Sequence, residues 1–234
     1  MPVYHGFNIW SDFVCLHNMS SVFSDGTKHD FDLEFVLQAL QRCHINDGTI
    51  LLSEYLTAYH ELCRFFKLTG RLFSFVARDL EGKIRVLEIM QKADESQNYK
   101  SVQSMLEYEC GRKTVHTNVH VLSGSRTLLR LHWALEFIVE FMDRICKSSD
   151  DDTTSHIAAE VYKTTLSNHH PWYTRKIAAL AMYLLPNRKQ LIQVMCKHDY
   201  ETVLELLNRV VEVGRQVYNT TQALYAERNL LNIP

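Results

Sequence analysis

Ser125-Arg126-Thr127-Leu128-Leu129-Arg130-Leu131-His132-Trp133-Ala134-Leu135-Glu136-Phe137-Ile138-Val139-Glu140-Phe141 reads as a helix with two stripes of different character. At ~100° per residue, Leu128, Leu131, Leu135 and Ile138 fall on one apolar line. Arg126, Arg130, Trp133, Phe137 and Phe141 fall on a second, where two guanidinium groups one turn apart head a run of aromatic rings. A charge that shares a face with core-type aromatics needs a partner, because an unpaired buried ion is strongly destabilising. A ligand with an anionic head and an apolar tail satisfies both halves of that stripe.

The whole chain suits such a role. Its 234 residues, 46% hydrophobic, are enough for one sizeable domain and short for two. The net charge of -2 argues against a general nucleic-acid binder. Six cysteines (Cys15, Cys43, Cys63, Cys110, Cys146, Cys196) stand singly with no CxxC pair, as expected for reduced core residues of a cytosolic protein. No apolar run reaches the ~18–20 residues of a membrane span. The N-terminus lacks the basic and apolar regions of a signal peptide.

Prolines fall only at positions 2, 171, 186 and 234, and no run alternates in the manner of a strand. The expectation is all-α, with eight main helices. Residues 1–28 carry Phe7, Ile9, Trp10, Phe13, Val14 and Leu16 ahead of a Ser/Asp/Gly/Thr stretch. They read as a loose N-terminal extension to a domain of residues 29–234, with a short docking helix as the alternative. A first helix runs from about Phe31 to Ile45, and Ser53 with Glu54 opens the second. The third, from Arg71 to Ala93, shows an apolar face of Leu72, Phe75, Val76, Val86, Leu87 and Met90 that Asp79 and Lys83 interrupt. A fourth spans about Tyr99 to Gly111, ahead of a polar loop and the opening stretch. Ser148 to Asp152 is expected to cap the next helix and supply its first-turn acids. His169-His170-Pro171-Trp172 then starts another, Asn187 caps a short one, and Asp199 caps the last.

Asp79 and Lys83 have the i, i+4 spacing of an ordinary surface ion pair, worth only ~0.3–0.5 kcal/mol. Their place on an apolar face favours a site instead. No catalytic set is present: no Gly-rich phosphate loop, no nucleophile elbow, no HExxH. His116 and His120 share helical spacing but lack an acidic or Cys partner, so no metal is expected.

Phe73-Ser74-Phe75 with Asp79 and Lys83, the Arg126–Leu135 run, His169-His170-Pro171-Trp172, Val217-Tyr218-Asn219 and Leu224-Tyr225-Ala226-Glu227 together resemble the glycolipid transfer protein superfamily. The resemblance covers roughly residues 29–234. It implies a two-layer, all-α fold of eight helices around one lipid pocket, with no enzymatic activity and no cofactor. Within the family a sugar site would read Asp-x-x-x-Asn-x-x-Lys, with tryptophan on the next helix. Lys83, Val86 and Arg130 stand at the asparagine, lysine and tryptophan positions, which resembles the branch that carries ceramide-1-phosphate. Arginine forks match phosphate oxygens.

The resemblance implies that Lys83, Arg126 and Arg130 hold the phosphate, and that Asp79 and His170 hold the ceramide amide. Leu72, Phe75, Val76, Trp133, Phe137 and Phe141 are candidates for the apolar pocket walls or the core behind them. Trp172, Tyr173, Arg175 and Lys176 suit transient contact with a membrane surface. The expected protein is a cytosolic, monomeric carrier of ceramide-1-phosphate. Its rivals are a glycolipid carrier of the same fold and a sensor that binds lipid without shuttling it.

Overall fold

The computed structural model describes residues 31–70, 73–112, 115, 122–195 and 199–233. Leu72, segment 1–28, the His116/His120 pair, Cys15 and Cys196 lie outside the described residues. Nine α-helices follow one another within them: α1 Leu33–Cys43, α2 Leu52–Leu68, α3 Phe73–Ala93, α4 Val102–Gly111 and α5 Gly124–Lys147, then α6 Thr154–Thr164, α7 Trp172–Tyr183, α8 Arg188–Met195 and α9 Tyr200–Glu227. A short 3-10 turn, Leu166–His169, joins α6 to α7. The extended pairings among the described residues are isolated bridges, His44 with Ile50 and Leu51 with Ser101. The all-α expectation holds.

Helix α5 is the centre of the assembly. Leu128, Leu131, Leu135 and Ile138 are all buried, as their spacing predicts. Each contributes about 1.5–3 kcal/mol by leaving water. Helices α1, α2, α3, α5 and α9 close a ring in which each packs on the next and α9 returns to α1. Gly214 permits the close approach of α9 to α5: a Cβ there would sit 2.8 Å from Val139 Cγ2. Cys43, Cys63, Cys110 and Cys146 are free thiols, in keeping with their reading as core residues.

Two expected helix starts are corrected. Helix α2 begins at Leu52 with no side-chain cap, and Ser53 lies inside it. Neighbouring chain does the capping instead, since Leu51 N–H donates to the Cys43 carbonyl and Leu52 N–H to that of Lys100. Helix α6 begins at Thr154 and has no acid in its first turn. Asp152 folds back to accept from Ser149 N–H at 2.7 Å. Asp150 is drawn away by Arg188, a buried guanidinium whose Nη1 donates to it at 2.7 Å and whose Nε donates to the Ile145 carbonyl at 2.9 Å. A buried cation recruits the nearest carboxylate ahead of an exposed helix start.

His132 ties α5 to α9. Its ring is fully buried and stacked parallel to Tyr218 and Tyr225, with centroids 4.4 and 6.1 Å away, and Nε2 lies 2.7 Å from Gln222 Oε1. Burial pushes its pKa down from 6.5 to about 4, against the weaker opposing effect of Gln222. The unfolded chain therefore takes up this proton first as pH falls. Stability is lost across the window from 6.5 to about 4, by roughly 3 kcal/mol at its lower end. His132→Phe keeps the stack and removes the titration. In urea unfolding, it should flatten the fall in stability between about pH 7 and 5 by about 2 kcal/mol. Parallel pH profiles for the two proteins would contradict this.

Candidate functional site

Helix α3 carries two candidate apolar stripes, and the fold buries the one without charges. Phe73, Ala77, Leu80, Ile84 and Leu87 form the core face, at successive spacings of four and three. The neighbouring stripe of Phe75, Val76, Asp79, Lys83 and Val86 stands away from the core, and Phe75 is 42% exposed. The expectation that Asp79 and Lys83 interrupt the core face is thus corrected. Turning the charged stripe outward avoids desolvating both ions. The charged stripe then forms one wall of a cleft of about 430 Å³ between α3 and α5. Arg78, Asp79 and Lys83 line it from α3, and Arg126, Thr127 and Arg130 from α5.

The cleft gathers four cations around one carboxylate. Lys83 Nζ sits 2.5 Å from Asp79 Oδ2, with the lysine side chain only 19% exposed and the aspartate 69% exposed. Arg126 is buried. Arg130 is half-buried, donates from Nη1 to the Arg126 carbonyl at 2.7 Å, and stands 6.0 Å from the centre of the Trp133 ring. Burial, and then the charge of Arg126, pull the Arg130 pKa below its ordinary value, and Asp79 opposes them. The guanidinium stays ionised, since ordinary arginine titrates far above neutrality. Such a site favours an incoming anion.

A device absent from the sequence reading holds this wall in place. Glu109 of α4 is buried, and its carboxylate accepts from Ser123 Oγ (2.6 Å), Gly124 N–H (2.6 Å), Ser125 N–H (3.1 Å) and Tyr99 Oη (2.7 Å). A carboxylate at the N-terminus of α5 satisfies donors that a helix start leaves open and complements its dipole. The contact requires glycine at 124, where a Cβ would meet Tyr99 Cε1 at 2.7 Å and Met105 Sδ at 2.9 Å. The available signal was an acid on the apolar line Val102, Met105, Leu106, Glu109.

On the other side, His170 follows the 3-10 turn in extended backbone, and its ring feels the charges of Asp79 and Lys83. Burial lowers its pKa below the ordinary histidine value. Its Nδ1 lies 2.9 Å from Tyr162 Oη of α6, a partner the sequence did not suggest. Trp133 stacks on His169 at 3.8 Å between ring centres.

The candidate pocket aromatics therefore separate. Phe137 and Phe141 line an enclosed apolar space of about 30 Å³, with Phe66, Phe73, Met142 and Met182 among its other walls. Trp133, Phe75 and Val76 do not line it. On α7, Trp172 is 70% and Tyr173 53% exposed, beside exposed Arg175, Lys176 and Ile177. Among the described residues no group of metal-ligating side chains is found, and no helix is long and apolar enough to cross a membrane.

Comparison with known proteins accords with the fold. Residues 50–197 match the family model for glycolipid transfer protein. The ceramide-1-phosphate transfer protein of Mus musculus is 35% identical over 215 residues, spanning 90% of this chain and all of the relative. The crystal structure of the mouse protein in its apo form superposes with a TM-score of 0.83 at 36% identity, covering 88% of this chain and 100% of that one. That of the human protein in complex with 12:0 ceramide-1-phosphate gives 0.82 at 32% identity, covering 87% and 100%. By its helices, its matched segment and its relatives, this chain belongs to the glycolipid transfer protein family.

Proposed function

We propose that this protein carries a phosphorylated sphingolipid, ceramide-1-phosphate, between membranes without altering it. The observation that carries the reading is the cleft between α3 and α5, where four cations surround one carboxylate. In this reading Lys83, Arg126 and Arg130 hold the phosphate through charge-assisted bonds. Asp79, an acceptor only, takes the amide N–H and hydroxyl of the ceramide, and His170 donates to its amide carbonyl. The relatives' names and the lipid bound in the human structure point the same way.

The hydrocarbon chains need an interior that opens. An enclosed space of about 30 Å³ has room for roughly one water, so chains enter by displacing Phe137, Phe141 and the methionines around it. Each methylene buried from water contributes ~0.8 kcal/mol, but the bilayer offers nearly the same. Selectivity therefore rests on the headgroup contacts, while the sleeve lowers the barrier to crossing water. Trp172, Tyr173, Arg175 and Lys176 form the membrane-facing surface, suited to weak and reversible docking. We assign the carrier to residues 29–234, treat 1–28 as an extension, and place the protein as a monomer in the cytosol.

Vesicle-to-vesicle transfer of fluorescent ceramide-1-phosphate, galactosylceramide and phosphatidic acid tests this. Fast, selective movement of the first is expected. Preferential movement of galactosylceramide would keep the fold and overturn the headgroup, and tight binding without transfer would make the protein a sensor.

A further inference from the structure

Resting on the reading of His170 as the amide donor, we propose that Tyr162 is a positioning residue which fixes His170 in its Nε2–H tautomer, so that the histidine presents a donor to the lipid. Tyr162 is buried on α6, with Phe137 edge-on to its ring at 6.3 Å and its hydroxyl 2.9 Å from His170 Nδ1. The phenol keeps its proton, since burial raises its pKa above the ordinary tyrosine value.

A neutral imidazole has one N–H, and the contact admits two arrangements. If Nδ1 carries the hydrogen, it donates to the phenol oxygen. The hydroxyl hydrogen of Tyr162 is then left without an acceptor among the described residues, in a buried position. Nε2 becomes a second acceptor beside the Asp79 carboxylate. An amide facing two acceptors has a partner for its N–H and none for its carbonyl. If Nε2 carries the hydrogen, the phenol donates to Nδ1, every hydrogen has a use, and the site offers one acceptor and one donor. Leaving a buried hydroxyl unpaired is the costly choice, so the second arrangement prevails.

The groups that surround His170 fit this assignment. Asp79 and Lys83 reach it from α3 and His169 from the preceding turn, and all act by charge at a distance; Tyr162 makes the hydrogen bond. Tyr162 thus acts through His170 and touches no lipid itself. Donor orientation settled before the ligand arrives is pre-organisation, and its loss appears as weaker binding.

Tyr162→Phe keeps the ring and removes the hydroxyl. In the full chain, nitrogen NMR of the His170 side chain should move from the Nε2–H pattern to a mixture of tautomers. Affinity for a short-chain ceramide-1-phosphate should fall about twofold, in proportion to the share of His170 that keeps its hydrogen on Nε2. His170→Gln supplies an N–H that does not depend on a tautomer, so adding Tyr162→Phe to it should cause no further loss. An unchanged tautomer, or an equal loss in the Gln background, would overturn the proposal. A shifted tautomer with affinity unmoved in both single variants would instead overturn His170 as the amide donor and leave the tautomer lock standing.

Discussion

Replacing Arg130 by alanine should lower the affinity for ceramide-1-phosphate by about 100-fold or more while leaving the protein folded. Arg130 is half-buried, and one edge of its fork is committed to the Arg126 carbonyl at 2.7 Å. The remaining N–H groups are those the phosphate can take. Bonds to ionised groups contribute roughly 1.5–3 kcal/mol each, and a desolvated partner left unpaired adds to the loss. Arg126 lies close enough that its charge depresses the Arg130 pKa, so removing the cation relieves repulsion when no lipid is bound. Stability should therefore change by no more than about 1 kcal/mol. Arg130→Lys should recover only part of the affinity, because an ammonium has no planar fork. Calorimetric titration with a short-chain lipid measures the effect, and a loss below about threefold would remove Arg130 from the phosphate site.

The second large effect is on the fold. Glu109→Ala removes the acceptor of four hydrogen bonds at the start of α5 and leaves their donors buried. The expected cost is about 3–5 kcal/mol, as for other buried ionic networks deprived of one member. For a domain of this size, that lowers Tm by roughly 10 °C or more. Arg126 lies two residues beyond Gly124, so lipid affinity should fall along with stability. Glu109→Gln retains one acceptor oxygen and should lie between the two. A Tm within about 3 °C of the wild type would show that Ser123 Oγ, which accepts from Arg126 N–H at 3.2 Å, caps α5 unaided.

Helix α5 was legible in the sequence because both of its stripes keep the helical period and only one contains charges. Helix α3 was misread for a related reason. It too has two stripes that contain apolar residues, and the one without charges, Phe73, Ala77, Leu80, Ile84 and Leu87, is the one that packs inward against α2 and α5. Asp79 and Lys83 nevertheless line one cleft with Arg126 and Arg130, since they share a helix stripe however it is turned, while His170 is not among the cleft's lining residues. Glu109 left a trace as an acid on an apolar line. Tyr162 left none: with Ile157, Ala158 and Val161 it reads as ordinary core, and its partner arrives through a 3-10 turn that local periodicity does not describe.

One measurement tests the phosphate-reading cleft most directly. Titrating the protein with a short-chain ceramide-1-phosphate and with the same ceramide lacking phosphate isolates the headgroup, since the chains and the amide are identical. Affinity for the phosphorylated lipid should exceed that for the bare ceramide by about 100-fold or more, with the excess shrinking as salt is raised. Equal affinities would contradict the assignment of Lys83, Arg126 and Arg130.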